Sequence, residues 1–268
     1  MLFKIYCLIK KEFLEEISYR LDFLLRIFSI FAFMLIFFYI AKVFRGAPTL
    51  HLERYGGDYF SFVLIGLAFV GYMQTGLSTF SDGIRTEQTL GTLEAILATR
   101  TPITIVLLAR LLWNFIYDTF HLAVYFTAGV LMLNAHYTAS SLYLIPLILF
   151  LSLIAHSSLG MISAGFILVL KRGDPINTLF GMAAQLLGGV FFPITVLPDV
   201  LQKVSAFLPI TYSLRLMREV CIRGAGFSEI ATDLRILFLL SAALFPLSIY
   251  FFNAALRRTR IDGSLTHY

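Results

Sequence analysis

Apolar residues run along this chain in long blocks separated by short polar breaks. Blocks near 24–42, 59–80, 103–133, 142–170, 176–194 and 232–255 each approach the roughly 20 residues a helix needs to cross a bilayer core. Six spans are therefore predicted. Residues 1–22 follow a different period. Leu2, Tyr6, Ile9, Phe13, Ile17 and Leu21 recur at helical spacing with the charges mostly elsewhere on the wheel, the pattern of an amphipathic helix lying on the membrane surface. The segment 195–230 is too polar and broken to span. Leu197, Val200, Leu201, Val204 and Leu208 make one stripe ended by Pro209; Tyr212, Leu216, Met217, Val220 and Cys221 make a second, ended by Gly224 and Gly226. They predict two short outer helices, over about 197–223, that dip into the membrane and return, a path tolerated only where the turn is buried in protein.

Composition sharpens this picture. Hydrophobic residues make up 59% of the 268 and charged residues 14%, with a mean hydropathy of +0.84. A water-soluble domain carries about 25% charged residues, so one soluble core is excluded and lipid must face the excess. The expected fold class is an all-α integral membrane protein: an interfacial helix over 1–22, then a six-span domain over 23–268. The N-terminus does not read as a signal peptide, because Lys4, Lys10, Lys11, Glu12, Glu15 and Glu16 precede any apolar run and no small-residue cleavage pattern follows it.

The net charge of +5 would suggest nucleic acid for a soluble protein. Here the basic residues flank spans, where they set orientation and meet anionic lipid. Arg85, Arg100, Lys171 and Arg172 fall on the same side as both termini, with Lys4, Lys10, Lys11, Arg20, Arg26, Arg257, Arg258 and Arg260. The opposite side holds fewer, so both termini are expected in the cytoplasm, with the chain in the cell (inner) membrane. Cys7 and Cys221 have no metal-ligand or disulfide spacing.

Candidate chemistry is sparse. The chain has no GxxxxGK[ST], HExxH or GxSxG motif, so neither nucleotide hydrolysis nor hydrolase chemistry is expected of it. In the third block Arg110, Asn114, Asp118, His121 and Tyr125 share one helix face. Asp118 and His121 are placed to pair with each other. Polar residues at such depth line a pathway or join helices. Ser152, His156, Gly160 and Ala164, then Gly181, Ala184 and Gly188, form small-residue faces suited to close helix approach. The loop after the second block is the most distinctive: Glu87-Gln88-Thr89-Leu90-Gly91-Thr92-Leu93-Glu94-Ala95-Ile96-Leu97-Ala98. Its leucines give a short apolar face, and Gly91 removes a side chain where another backbone can approach.

This Glu-Gln-x-x-Gly-Thr-Leu-Glu segment resembles the coupling helix of type-2 ABC export permeases. Phe191-Phe192-Pro193, Leu197-Pro198 and Leu208-Pro209-Ile210-Thr211-Tyr212 resemble the same family's region between spans five and six. The resemblance implies a pair of permease subunits, the second a copy or a homologue. Separate ABC ATPase subunits would bind MgATP, leaving this chain without cofactor, metal or catalytic residue of its own. It implies a coupling helix over about 87–98, with Glu87, Gly91, Leu93 and Glu94 in the coupling element. Phe191, Phe192 and Pro193 would sit at an outer hydrophobic gate. The cargo expected is drug-, peptide- or lipid-like. Two other classes compete: a proton-coupled secondary transporter using Asp118 and His121, and a membrane-embedded enzyme, which would need convergent polar residues from several spans.

Overall fold

The computed structural model describes residues 2–43, 52, 58–89, 91–99, 102–133, 135, 137–138, 140–170 and 174–261. Among them the regular elements are all helical. They are α1 (Leu2–Ser18), α2 (Arg20–Val43), α3 (Tyr59–Thr89), α4 (Leu93–Ala98), α5 (Ile103–Leu133), α6 (Ile145–Leu170), α7 (Asp174–Leu187), α8 (Asp199–Ser205), α9 (Pro209–Cys221) and α10 (Phe227–Ile261).

Five helical stretches among the described residues are long and apolar enough to cross a membrane: Arg20–Val43, Tyr59–Glu87, Ile103–Leu133, Leu142–Val169 and Phe227–Thr259. They match five of the six predicted blocks. The block at 176–194 departs from its prediction. Its helix has 14 residues, about 21 Å of rise against a hydrocarbon core of ~30 Å. The helix stops because Gly189 takes φ +77°, a region L side chains avoid. The chain then turns through Val190–Phe192 and a 3-10 turn at Ile194–Val196.

The bundle is built on α3, which packs against α5 and α6, while α6 packs against α10. Small residues set the α3–α6 approach. A methyl on Gly160 would stand 2.6 Å from the Leu77 carbonyl, and one on Gly76 would stand 2.6 Å from the His156 Cβ. The stripe read along 152–164 is thus a packing face. Ser152, His156, Gly160 and Ala164 are all buried, and Ser152 donates to the Ser213 hydroxyl of α9 at 2.7 Å. By contrast α2 buries only Ile30 and Met34 and leaves Leu24, Phe28, Phe33 and Ile36 exposed, a face that lipid can cover.

The amphipathic reading of 1–22 gives α1, with a break at Tyr19 before α2. Its polar and apolar residues both seat on α5: Arg110 pairs with Glu12 at 3.6 Å, and Phe13 meets Trp113 edge-on at 5.4 Å between ring centroids.

The two helices expected over 197–223 divide in character. In α8, Val200, Leu201 and Val204 are exposed, as is Phe207 just beyond it. The other, α9, lies inside the protein against α3, α6 and α10. Every residue from Pro209 to Cys221 except Arg215 is buried. An amphipathic stripe predicts a half-exposed helix; here the polar side is buried as well, because it finds partners inside the bundle.

Candidate functional site

Three sites carry the residues singled out in the sequence. One end of the bundle gathers the start of α3, the chain joining α5 to α6, and the segment from Gly188 to Gly226. Thr138 and Ser141 donate to the carbonyls of Ile222 and Gly224 at 3.1 and 2.8 Å. At the opposite end lie α1, which meets the start of α5, and α4, which follows α3.

The first site is the seam between α3 and α5. Asn114 donates to the Thr79 hydroxyl at 3.0 Å. One turn on, the Asp118 carboxyl faces Gly71, with the Thr75 side chain beside it. His121 turns toward its own helix, edge-on to Tyr117 at 4.2 Å. The expected Asp118–His121 pair is not made. Residues three apart share a helix face, yet Asp118 points at α3 while His121 lies against Tyr117. Asp118 Oδ2 and His121 Nε2 are both buried and, among the described residues, without a hydrogen-bond partner. Arg110 closes the seam through its pair with Glu12. Joined polar groups of this kind hold two apolar helices in one register.

The second site is the turn after α7. Phe191 stacks on Phe37 of α2, with ring centroids 5.7 Å apart and planes 13° from parallel. Phe191 and Phe192 are half-buried and Pro193 is buried. The turn that presents them is held by a residue the sequence did not single out. Arg218 of α9 is 3% exposed and lies 3.5 Å over the Phe62 ring. It donates to the carbonyls of Phe62 at 3.3 Å, Gly189 at 2.8 Å and Val190 at 3.0 Å. These carbonyls sit in apolar surroundings, where an unpaired backbone oxygen is costly, and the planar guanidinium satisfies several at once. In the sequence Arg218 carries no motif and stands among the other basic residues of the segment 195–230. The one available signal was the next residue, Glu219, in a stretch otherwise apolar enough to be buried.

The third site is the end of α3. Thr92 N–H donates to the Glu87 carbonyl at 3.0 Å, and Gly91 between them has φ +68°. This is the Schellman closure, with glycine in the left-handed position just past the helix. The Thr92 hydroxyl also bonds the Glu87 carboxylate, so Glu87 helps terminate α3. Among the described residues, chain neighbours aside, no atom lies within 4 Å of where a Gly91 side chain would begin. The demand for glycine inside this chain is therefore conformational, not steric. The turn directs the chain into the six-residue α4. The expected single helix over 87–98 is thus two pieces, the last turn of α3 and α4. Gly91, Thr92, Ala95, Ala98 and Thr99 are exposed. The side chains of Leu93 and Glu94 lie outside the described residues.

Among the described residues no cluster of His, Cys, Asp and Glu has the make-up of a metal site. A family model described as ABC-2 type transporter matches residues 4–222. No curated protein matches the chain. The match covers most of the 268 residues, and the chain belongs to that family.

Proposed function

Starting from a multi-pass membrane subunit of the ABC-2 type transporter family, we propose that this chain is the permease of an ATP-driven exporter. In this reading two permease subunits form the pathway between them, and separate ABC ATPase subunits bind and hydrolyse MgATP on the cytoplasmic side. The observation that carries it is the end of α3. A long helix from the bundle is stopped by a glycine-dependent closure and followed at once by a short helix that exposes Ala95 and Ala98 and is flanked by the exposed Thr92 and Thr99. A rigid helix ending in a fixed, exposed knuckle can pass on a push from a docked partner. Glu87, Gly91, Leu93 and Glu94 belong to this coupling element, with Glu87 acting by shaping it.

The same reading gives six crossings and cytoplasmic termini. The fifth crossing is made by α7 continued by the non-helical chain from Gly188, whose carbonyls Arg218 satisfies, as buried irregular backbone at membrane depth requires. The cargo pathway opens outward at Phe191, Phe192 and Pro193.

The test is co-purification with an ABC ATPase, followed by ATPase and transport assays in vesicles. Stimulated hydrolysis and ATP-dependent efflux are expected, with coupling lost in Glu94→Ala while insertion is kept. A chain that transports alone, driven by a proton gradient and indifferent to ATP, would overturn it. The proton-driven alternative has one observation in its favour, the unpartnered buried atoms of Asp118 and His121. It predicts that Asp118→Asn abolishes transport and that an uncoupler stops it.

A further inference from the structure

We propose that Arg218 is the positioning residue of the outer gate: it fastens the turn after α7 to α3 and α9, so that the gate parts between Phe191 and Phe37. The inference rests on the reading of Phe191–Pro193 as a gate.

Three observations make one unit of the turn, α3 and α9. First, the guanidinium of Arg218 joins all three, donating from α9 to Phe62 on α3 and to Gly189 and Val190 in the turn. Second, the turn is seated against α3 where a side chain is missing: a methyl on Gly66 would collide with the Val190 carbonyl. Third, the last residue before the turn touches α9 directly, since a methyl on Gly188 would stand 2.5 Å from Ile210. Val190 is fully buried as a result.

Contact with α2 is of another kind. Phe37 meets Phe191 through stacked rings and packs on the Phe62 and Val63 side chains of α3, and these apolar contacts carry no directional hydrogen bond and can slide. Hydrogen bonds from a charged donor to buried carbonyls are far stronger. When the two sides separate, the contact that yields is the aromatic stack and the contact that persists is the Arg218 fork. The gate residues then travel with α3, which runs to the knuckle at Gly91 and α4. One helix thus joins the turn at one end of the bundle to the coupling element at the other.

Lysine cannot replace this fork, because one ammonium cannot reach three carbonyls in its geometry. Arg218→Lys and Arg218→Met therefore test the proposal. Arg215→Ala serves as the control, because it removes the neighbouring 3.1 Å pair to Asp233 and leaves the turn untouched. The full chain in nanodiscs is spin-labelled at Ile36→Cys on α2 and Val196→Cys in the turn, both exposed and neither part of the stack, in a background lacking Cys7 and Cys221. A second labelled pair at Ser140 and Arg223 reports the fold. With Arg218 in place one narrow 36–196 distance is expected. Arg218→Met should raise the displaced population at least about tenfold, Arg218→Lys should fall between, and the 140–223 distance should hold in both. Variants that move both pairs together show general unfolding, and an unchanged 36–196 distance shows that the turn stands without the fork; either result overturns the proposal. Dye leak from vesicles without ATP separates the two readings. A displaced turn with no leak keeps Arg218 as the fastener and rejects the gate.

Discussion

Gly91 offers the sharpest test of how the end of α3 works. Its φ of +68° costs an L residue about 1–2 kcal/mol, which is about 5- to 30-fold in the ratio of turned to unturned conformers. Space is not limiting among the described residues, since none of their atoms beyond the chain neighbours lies within 4 Å of the added carbon. Asparagine tolerates the left-handed region far better than alanine or leucine. If the closure itself transmits force, coupling should rank Gly91 above Gly91→Asn, with Gly91→Ala and Gly91→Leu lowest and close together. If the partner presses against this position, size decides instead, and Ala should exceed Asn and Leu. The assay is the ratio of transport to ATP hydrolysis in vesicles holding equal amounts of assembled complex. A Gly91→Ala variant with unimpaired coupling refutes the conformational argument outright. Raising coupling above that of the unvaried protein with Asn would refute it equally.

Other expectations follow from the packing and the topology. Gly160→Ala should destabilise the protein by about 1–3 kcal/mol, near the upper end because its neighbours are backbone carbonyls of α3; thermal unfolding in detergent measures it, and an unchanged midpoint would contradict the close α3–α6 approach. Burial pushes the Cys221 thiol up to about 12, so at pH 7 to about 9 it stays protonated as well as enclosed, and thiolate is the reactive form. A maleimide should therefore label the exposed Cys7 and add a second label only after denaturation, as intact mass reports; two labels on the native protein would contradict the burial of α9. Cysteines introduced at Ser140 and Lys203, both exposed, should label from outside the cell and one at Thr89 only from inside, and external labelling at 89 would reverse the orientation.

Much of the site was legible in the sequence, and the parts that were not share a cause. The segment at the α3 knuckle stands out in the sequence but reads there as one helix over 87–98, although a glycine after a helical run, then threonine, is the local signal of a helix end. The reason for the glycine was not legible, since whether Gly91 serves φ or space depends on what surrounds it. The polar stripe of α5 was visible as periodicity, but spacing could not say that Asp118 turns to α3 while His121 turns to Tyr117. Arg218 was hidden because an arginine in an amphipathic segment, here with Arg215 beside it, looks like a solvated charge until the carbonyls that accept its hydrogen bonds are brought to it. Those carbonyls belong to residues 156 and 28–29 positions away in the chain.

The sequence by itself determined that the chain lives in a membrane, where five of its spans lie, with the C-terminal end of α3 the one boundary missed by more than about five residues, and that its first helix is amphipathic. Each follows from runs of apolar side chains whose transfer to lipid is favourable whatever their neighbours, and from periodicity that a helix must obey. Tertiary structure decided the rest: that α7 stops short at Gly188–Gly189, that α9 is enclosed rather than laid on a surface, and that one arginine holds the turn between them. These depend on which buried carbonyls need a donor and which helices approach closely enough to exclude a methyl group, and such needs exist only once distant segments meet.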